Sequence, residues 1–162
     1  MHLVHDGSPF TPRCGTCGYT RRRFPTVGVS VVVRDEAGRV LLGKRTHGAH
    51  AGLWCIPCGR LEWDEDVRAG AERELLEETG LTARAGAVLA VHSNFHVLER
   101  QTVGVWFAAE LVSGEPWCAD GEMTELAYID PSDPPELAFP TDALVLAQLA
   151  AQRPVTPHHP AQ

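Results

Sequence analysis

The sequence lacks any run of apolar residues that approaches the roughly 20 needed to cross a lipid bilayer. Its best candidate, VGVSVVV at 27–33, is short and rich in valine, which predicts a buried strand instead. The amino terminus also has no basic segment followed by an apolar one, so no secretory signal is predicted. We therefore expect neither membrane insertion nor secretion, and we predict a cytoplasmic protein.

The sequence has fewer basic than acidic residues. The 162 residues include 14 lysines and arginines against 21 aspartates and glutamates, which gives a formal net charge of −7. Because contacts to the phosphate backbone dominate nucleic-acid affinity, this balance argues against general binding of nucleic acids or anionic membranes. It does not exclude a small phosphorylated ligand at one local site. The short basic run RRR at 21–23 is interpreted as a solvated linker face, and contact with nucleic acid or a substrate phosphate is the alternative.

Five cysteines are an odd number, and without a secretory signal a disulfide framework is not expected. Four of them form two Cys-x2-Cys pairs, Cys14 with Cys17 and Cys55 with Cys58. The two pairs together suggest a four-cysteine zinc site, and the second pair alone suggests a thioredoxin-like redox centre. The redox interpretation is weak, because the cysteines of such centres open a helix and the helix predicted here begins several residues later.

The sequence has no internal repeats, and its character changes at Thr26. We predict an arm at 1–25, one compact domain at 26–152 and a loose tail at 153–162. The predicted elements of the domain are a hairpin of TVGVSVVVR and RVLLGKR around the turn DEAG, a short strand LWCIP, the helix DEDVRAGAERELLEETG, strands AGAVLAVHSNF, QTVGVWFAAEL and ELAYID, and a capped terminal helix TDALVLAQLAAQ. Together they predict an α/β fold with a mixed sheet.

The first predicted helix carries three glutamates on one face. We expect Asp64 to cap it, with acidic residues filling its first turn, and Gly80 to end it at the carboxyl side. Glu74, Glu77 and Glu78 follow the i, i+3, i+4 spacing that places side chains together. Their mutual repulsion would be removed by a hard divalent cation, Mg²⁺ or Mn²⁺, which prefers carboxylate oxygens. The alternative is a solvated acidic face, and the triplet alone does not decide between them.

A longer pattern surrounds the triplet. From Gly59 the chain reads GRLEWDEDVRAGAERELLEETGL, which resembles the Nudix box, G-x5-E-x7-R-E-U-x-E-E-x-G-U with U aliphatic. Every specified position is met, and nine residues at fixed offsets are a specific signal. Those positions are Gly59, Glu65, Arg73, Glu74, Leu75, Glu77, Glu78, Gly80 and Leu81. The resemblance extends to LLGKR and GLW-x-IP-x-G and covers about residues 25 to 152.

The Nudix resemblance implies an α/β/α sandwich with a mixed sheet, and hydrolysis of a nucleoside diphosphate linked to another moiety. It implies that Glu77 and Glu78 are the principal metal ligands and that Glu74 is a third ligand or a base. The Gly59 carbonyl is a candidate for a further ligand. Glu65 would support the metal shell.

The same resemblance implies that Arg73 pairs with the glutamates and holds their geometry. A metal that bridges two phosphates lowers the pKa of an attacking water, which a carboxylate can deprotonate. The box does not identify that base, because family members use either a box glutamate or an acidic residue on a distant loop. Glu122 and Glu125 are the loop candidates, and ordinary surface charge is the alternative.

Substrate contacts are predicted from residue type. Lys44 and Arg45 end the second strand of the predicted hairpin, where they could clamp a phosphate or simply form a polar strand end. Trp54, Phe95 and Trp106 could stack on a base, or they could belong to the core.

Features outside the box separate Nudix subfamilies. The downstream proline typical of ADP-ribose hydrolases is absent from VHSNFHV, and the patterns of NADH diphosphatases and diadenosine polyphosphate hydrolases are missing too. Elimination favours a nucleoside triphosphate or a small nucleoside-diphosphate derivative. Nudix enzymes are often dimers, so the resemblance makes a homodimer possible, but the sequence does not fix the oligomeric state. A nucleotide-sensing module with the same fold is the alternative, although a sensor need not keep the whole set of metal carboxylates.

The arm resembles part of a zinc ribbon. CGTCGY looks like one knuckle, and His2 and His5 repeat the spacing of Cys14 and Cys17 upstream of it. These four residues predict a tetrahedral Zn²⁺ site, and a degenerate ribbon without metal is the alternative. A zinc-knuckle interaction protein without hydrolase activity is a third possibility, which would require metal in the arm and no turnover.

Cys58 stands where the Nudix pattern usually has the first glycine of Pro-Gly-Gly. Zinc binding by Cys55 and Cys58 would distort the loop that presents Gly59, which argues against a four-cysteine site. Modification of the Cys58 thiol could block activity. The alternative is a small, inert side chain tolerated in place of glycine.

Overall fold

The computed structural model describes residues 3–4, 13–20, 24–95 and 101–152. His2, His5, the run at 21–23 and the tail at 153–162 lie outside these residues. The described elements are β1 Leu3–Val4, β2 Arg13–Cys14, β3 Thr26–Val32, β4 Val40–Arg45, β5 Trp54–Cys55, β6 Cys58–Arg60, α1 Val67–Thr79, β7 Thr82–Asn94, β8 Thr102–Ser113, β9 Met123–Ile129 and α2 Pro140–Ala151. Strands of both directions with two helices confirm the predicted α/β class.

Two sheets make up the body of the domain. One has the strand order β6-β3-β8-β7 and the other the order β5-β4-β9, while β1 and β2 pair separately in the arm. The β3–β8 pair is parallel, and the remaining pairs are antiparallel. The first sheet is therefore mixed, as predicted.

The predicted hairpin forms only next to its turn. The turn forms as expected, because the Asp35 N–H donates to the Arg39 carbonyl at 3.0 Å and the Gly38 N–H to the Asp35 carbonyl at 2.9 Å. Beyond it the strands separate: β3 enters the mixed sheet and β4 enters the other. The hairpin prediction is wrong there, since a turn signal fixes a local reversal but not the pairing that follows. Buried residues run continuously from Val29 to Val33, as expected for a strand covered on both faces.

The core consists of two main apolar clusters on opposite sides of β3. One lies under α1 and includes Val31, Leu75 and Phe107. The other joins the two sheets to α2; its members include Val32, Leu42, Ile56, Trp106 and Leu146. Helix α1 thus packs on one face while α2 closes the other, and the space between the two sheets remains for a site.

The helix ends differ partly from expectation. Asp66, not Asp64, caps α1, because its carboxylate accepts the N–H groups of Arg68 at 2.9 Å and Ala69 at 3.3 Å. Asp64 lies outside the helix with φ +64°, and no acidic residue occupies the first turn. Gly80 ends the helix at φ +68°, as predicted. Helix α2 begins with Pro140 and has no side-chain cap, contrary to the prediction.

Within the described ranges, neither helix is both long enough and apolar enough to span a bilayer.

Candidate active site

A cleft of about 780 Å³ opens between the two sheets, beside the carboxyl half of α1. Its volume falls in the range of small-molecule sites, which is roughly 300–1,000 Å³. Residues distant in the sequence meet there, and those used below are Ser30, Arg45, Cys58, Gly59, Glu74, Trp106, Glu122, Thr141 and Asp142.

Arg73 of α1 is the centre of a carboxylate network. Its guanidinium donates to both oxygens of Glu65 at 2.8 and 3.0 Å. One further nitrogen, Nη1, donates to Glu74 at 3.0 Å and to Glu77 at 2.9 Å. The other terminal nitrogen also reaches the Arg60 carbonyl at 3.2 Å. Hydrogen bonding from Arg73 lowers the pKa of Glu65 to about 2, so this carboxylate stays ionised and keeps the guanidinium in place.

Gly59 leaves room for the Glu74 carboxylate. A Cβ built on Gly59 would lie 1.8 Å from Glu74 Cδ, so no larger residue fits without displacing that side chain. Gly59 lies on β6, paired with Val29 of β3, which fixes it opposite α1. Burial raises the pKa of Glu74, Arg73 opposes the rise and Glu77 adds to it.

Glu78 is the most deeply buried of the three glutamates, with 1% of its surface exposed. Its Oε2 accepts the Cys58 backbone N–H at 2.8 Å, while its Oε1 has no hydrogen-bond partner among the described residues. Burial raises the Glu78 pKa to about 9, and the nearby Cys55, Glu74 and Glu122 add to the rise. A buried carboxylate in this setting requires a proton or a cation.

The donors fit a hard divalent cation. No three His, Cys, Asp or Glu side chains within the described ranges converge closely enough to hold a metal by themselves. The geometry supplies the reason, because Arg73 occupies oxygens of Glu74 and Glu77. Mg²⁺ commonly takes one or two carboxylates and completes its shell with water and substrate phosphates, so such an open set suits it. Glu78 would be the principal ligand of the ion, and Glu74 and Glu77 would be the further carboxylate ligands.

The structure separates the two loop candidates for a base. Glu122 lines the cleft, and its charge contributes to the raised Glu78 pKa. Its position is fixed by its own backbone, since its carbonyl accepts the Thr46 N–H at 2.9 Å and its N–H donates to Asp120 at 2.8 Å. Glu125 lies instead on β9 opposite Lys44, with which it forms an ion pair at 3.8 Å. The geometry favours Glu122.

Lys44 and Arg45 also differ in where they lie, because successive residues of a strand point to opposite faces. Arg45 lines the cleft, where its guanidinium lies 5.5 Å from the Phe139 ring and Nη1 lies 3.9 Å from Cys55 Sγ. Its Nε is buried without a hydrogen-bond partner among the described residues. Lys44 is not among the cleft residues and lies near Glu125 and the Trp54 ring.

The three aromatic candidates are likewise divided. Trp106 is buried and lines the cleft. Trp54 packs against the second apolar cluster, and Phe95 follows β7 with 66% of its surface exposed. Neither of these two residues lines the cleft. Of the aromatic side chains named from the sequence, Trp106 alone is placed where a substrate could touch it.

Sequence reasoning missed the residues that α2 brings to the cleft. Thr141 and Asp142 are both buried, and Asp142 accepts the Ile56 N–H at 3.0 Å. Burial raises the pKa of Asp142 to about 7, against the opposing effects of the Ile56 N–H, Trp106 and Arg45. The sequence feature that could have identified them is the pair of polar residues, Thr141 and Asp142, in the first turn of the largely apolar helix α2.

The arm is described only in part. Cys14 and Cys17 are free thiols on a tight turn, in which the Gly18 N–H donates to the Cys14 carbonyl at 2.9 Å. Their proposed partners His2 and His5 lie outside the described residues. The zinc site therefore stays a prediction.

Comparison with known proteins gives consistent results. The model of the NUDIX domain matches residues 24–149. An ADP-ribose pyrophosphatase from Methanocaldococcus jannaschii is 28% identical over 122 residues, which cover 75% of this chain and 71% of that protein. A putative 8-oxo-dGTP diphosphatase from Bacillus subtilis is 30% identical over 115 residues, covering 71% and 73% respectively. The crystal structure of a NUDIX hydrolase from Nitrosomonas europaea superposes with a TM-score of 0.75 at 26% identity, covering 88% of this chain and 80% of that one.

Proposed function

Because this chain belongs to the NUDIX family, we propose that it is a metal-dependent pyrophosphohydrolase that cleaves a nucleoside diphosphate linked to another moiety. The single observation that carries the proposal is the buried Glu78 carboxylate, whose Oε1 lacks a hydrogen-bond partner among the described residues beside a cleft lined by Glu74 and Glu122. The names of the relatives agree in reaction type, since they include an ADP-ribose pyrophosphatase, a putative 8-oxo-dGTP diphosphatase and an RNA pyrophosphohydrolase.

The proposed substrate is a nucleoside triphosphate or a small nucleoside-diphosphate derivative. A cleft of about 780 Å³ suits a ligand of this size. Arg45 supplies a guanidinium for phosphate oxygens, and Trp106 with Phe139 supplies aromatic surface for a base. The net charge of −7 supports a local phosphate site over general nucleic-acid binding.

In the proposed mechanism each residue has a separate task. Bound Mg²⁺ or Mn²⁺ would neutralise phosphate charge and lower the pKa of the attacking water. Glu78 would hold the ion, together with Glu74 and Glu77, and Arg73 donates hydrogen bonds that orient Glu74 and Glu77. Glu122 faces the same space and accepts the proton of the water.

The test is hydrolysis of a panel of nucleoside triphosphates, nucleotide sugars and ADP-ribose with Mg²⁺ or Mn²⁺, with identification of the bond that is cut. We expect turnover that needs the metal and that Glu78→Gln lowers by at least about 100-fold, since the amide cannot bind the ion as a carboxylate does. Glu125→Gln, in the same segment of chain as Glu122, is the matched control. Full turnover by Glu78→Gln would overturn the role given to Glu78.

A nucleotide-sensing module is the competing function. It would bind members of the same panel without releasing phosphate or a nucleoside monophosphate. The intact carboxylate set, Glu65, Glu74, Glu77 and Glu78, favours the enzyme, because binding alone does not require it.

Three finer expectations belong to the same proposal. Zn²⁺ in the arm would be bound by Cys14 and Cys17 with two histidines, and metal analysis of the purified chain tests it. Val88 and Val91 are exposed on β7, an edge strand of the mixed sheet, and give a homodimer an apolar surface to cover. Free thiols at all five cysteines suit the proposed reducing cytoplasm.

A further inference from the structure

We infer that Trp117 is a positioning residue for the proposed base, because its ring seats the loop at 114–122 on the carboxyl end of α1 and so fixes where Glu122 stands. We call residues 114–122 the base loop. The catalytic part of this inference rests on the proposed function, whereas the attachment of the loop to the helix does not.

The base loop supplies partners for the end of α1. The last carbonyl groups of a helix have no acceptor role inside it, so they need donors from elsewhere. The Trp117 N–H donates to the Thr79 carbonyl at 3.0 Å, and the Ala119 N–H donates to the Glu78 carbonyl at 3.2 Å. Glu78 therefore belongs to the proposed metal site through its side chain and holds the base loop through its backbone.

The Trp117 ring lies directly against Gly80, the residue that ends α1. A Cβ built on Gly80 would collide with Trp117 Nε1 and lie 2.5 Å from Cδ1, so only glycine leaves room for the ring. The start of the loop is equally close, since a Cβ on Gly114 would lie 3.0 Å from the Gly80 carbonyl oxygen. Trp117 keeps 60% of its surface exposed, so the contact with Gly80 is what its ring contributes.

The other end of the base loop carries Glu122. This residue lines the cleft with an exposed side chain, so the place of its carboxylate depends on the backbone that carries it. The Thr46 N–H holds that backbone by donating to the Glu122 carbonyl at 2.9 Å. Between Ala119 and Glu122 the chain passes through Gly121 at φ +81°. Loss of the ring contact would therefore weaken one of two attachments that set the distance from Glu122 to Glu78.

The expected consequence is specific to proton transfer. A base works only within hydrogen-bond reach of the proton it accepts, and a displacement of about 1 Å can cost on the order of 100-fold in rate. The glutamates of α1 are held by other contacts, Glu74 and Glu77 by Arg73 and Glu78 by the Cys58 N–H. Displacing the base loop should therefore lower kcat and leave the metal requirement unchanged.

The test compares Trp117→Ala, Trp117→Phe, Glu122→Gln and the double variant of Trp117→Ala with Glu122→Gln, all in the full-length chain. Trp63→Ala is the matched control, since Trp63 is fully exposed in the loop before α1. Each chain is assayed for kcat, KM and the Mg²⁺ concentration for half-maximal rate. Amide hydrogen exchange, followed by mass spectrometry, compares the peptide 115–123 with the peptide 67–76.

We expect Trp117→Ala to lower kcat by at least about tenfold, with KM and the Mg²⁺ requirement within about twofold of the parent. Exchange should become faster in 115–123 and stay unchanged in 67–76. Trp117→Phe keeps a ring over Gly80 and should retain at least about half of the parent kcat, and Trp63→Ala should match the parent. In the Glu122→Gln background, Trp117→Ala should cost less than about twofold, because the base is already absent.

Gly80→Asn tests the same contact from the helix side. Asparagine tolerates the positive φ at this position, but its side chain takes the space of the ring, so it should reproduce the effects of Trp117→Ala. This variant also decides the matter if Trp117→Ala does not fold.

Three results would overturn the inference: unchanged kcat in Trp117→Ala or Gly80→Asn, an equal loss with and without Glu122, or a raised Mg²⁺ requirement. The last two would show that Trp117 acts on the fold or on the metal site instead of the base. If the parent chain hydrolyses nothing in the panel, the proposed function fails, while the exchange measurement still decides whether Trp117 seats the loop on α1.

Discussion

The Glu74 carboxylate occupies the space that a side chain at Gly59 would need, with Cδ only 1.8 Å from the position of an added Cβ. Gly59 stands on β6 and Glu74 on α1, so the missing side chain on the strand leaves the space that the Glu74 carboxylate fills. The glycine that opens the box and the glutamate inside it are therefore one structural unit.

Gly59→Ala tests this relationship. The methyl group should expel the Glu74 carboxylate and lower kcat/KM by at least about tenfold, the cost of a displaced group near the reacting atoms. If the effect acts through Glu74, then Gly59→Ala should add little in a Glu74→Ala background. Steady-state kinetics of the parent, the two single variants and the double variant measure the coupling between the two positions. Additive effects of the two substitutions would contradict it.

The buried Glu78 carboxyl predicts how stability depends on pH in the metal-free protein. Its pKa is about 9 in the folded chain against an ordinary 4.5, so between these values the folded state holds a proton that the unfolded state has lost. The free energy of unfolding should therefore fall as pH rises through this window, by up to about 1.4 kcal/mol per pH unit from this group. Denaturant titrations in the presence of a chelator measure the slope.

Glu78→Gln should remove much of that slope between about pH 7 and pH 9. Asp142→Asn is the matched comparison, because the Asp142 pKa of about 7 confines its contribution to lower pH. Identical pH profiles for the two variants in the upper window would contradict the assignment to Glu78.

How far the sequence predicts the site depends on whether the contacts are local. The spacing of Glu74, Glu77 and Glu78 is enough to place them within two turns of one helix, and Gly80 marks the end of that helix. The prediction of Asp64 as the cap is wrong because residues 64–66 are all acidic and offer the same chemistry. Only the start of the helix decides which side chain reaches the free N–H groups.

Contacts between distant segments could not be predicted in this way. The Ile56–Asp142 hydrogen bond joins residues 86 positions apart, and it depends on how α2 closes over the second cluster. The choice between Glu122 and Glu125 depends on the register of β9 against β4, which places Glu125 opposite Lys44. Local sequence does not encode that register, because both sheets had to assemble first.

Glu122→Gln tests the proposed base. Loss of a proton acceptor typically costs about 10²- to 10⁴-fold in rate, so kcat should fall by at least about 100-fold with little change in KM. Glu125→Gln removes a carboxylate from the same segment outside the cleft, and it should stay within about twofold of the parent because exposed ion pairs contribute little. Equal effects of the two substitutions would show that Glu122 has no special role.

Asp66→Ala tests the helix start. Removing the carboxylate leaves two N–H groups of α1 without acceptors and should lower the free energy of unfolding by about 1 kcal/mol. Asp64→Asn is the control, since asparagine tolerates the positive φ at this position and nothing else should change. Thermal and denaturant unfolding measure the stability of both variants. If Asp64→Asn lowers the free energy of unfolding as much as Asp66→Ala does, Asp64 also contributes to the cap.

Arg73→Lys tests whether the guanidinium organises the carboxylates or merely supplies charge. An ammonium keeps the charge but cannot donate to Glu65 through two nitrogens while also reaching Glu74 and Glu77. We therefore expect a fall of about tenfold or more in kcat and a higher Mg²⁺ concentration for half-maximal rate, with the fold retained by circular dichroism. Arg39→Lys, at an exposed pair with Asp35 in the turn before β4, is the matched control and should leave both values unchanged. If Arg73→Lys also leaves the Mg²⁺ dependence unchanged, charge alone is sufficient and the fork geometry is not required.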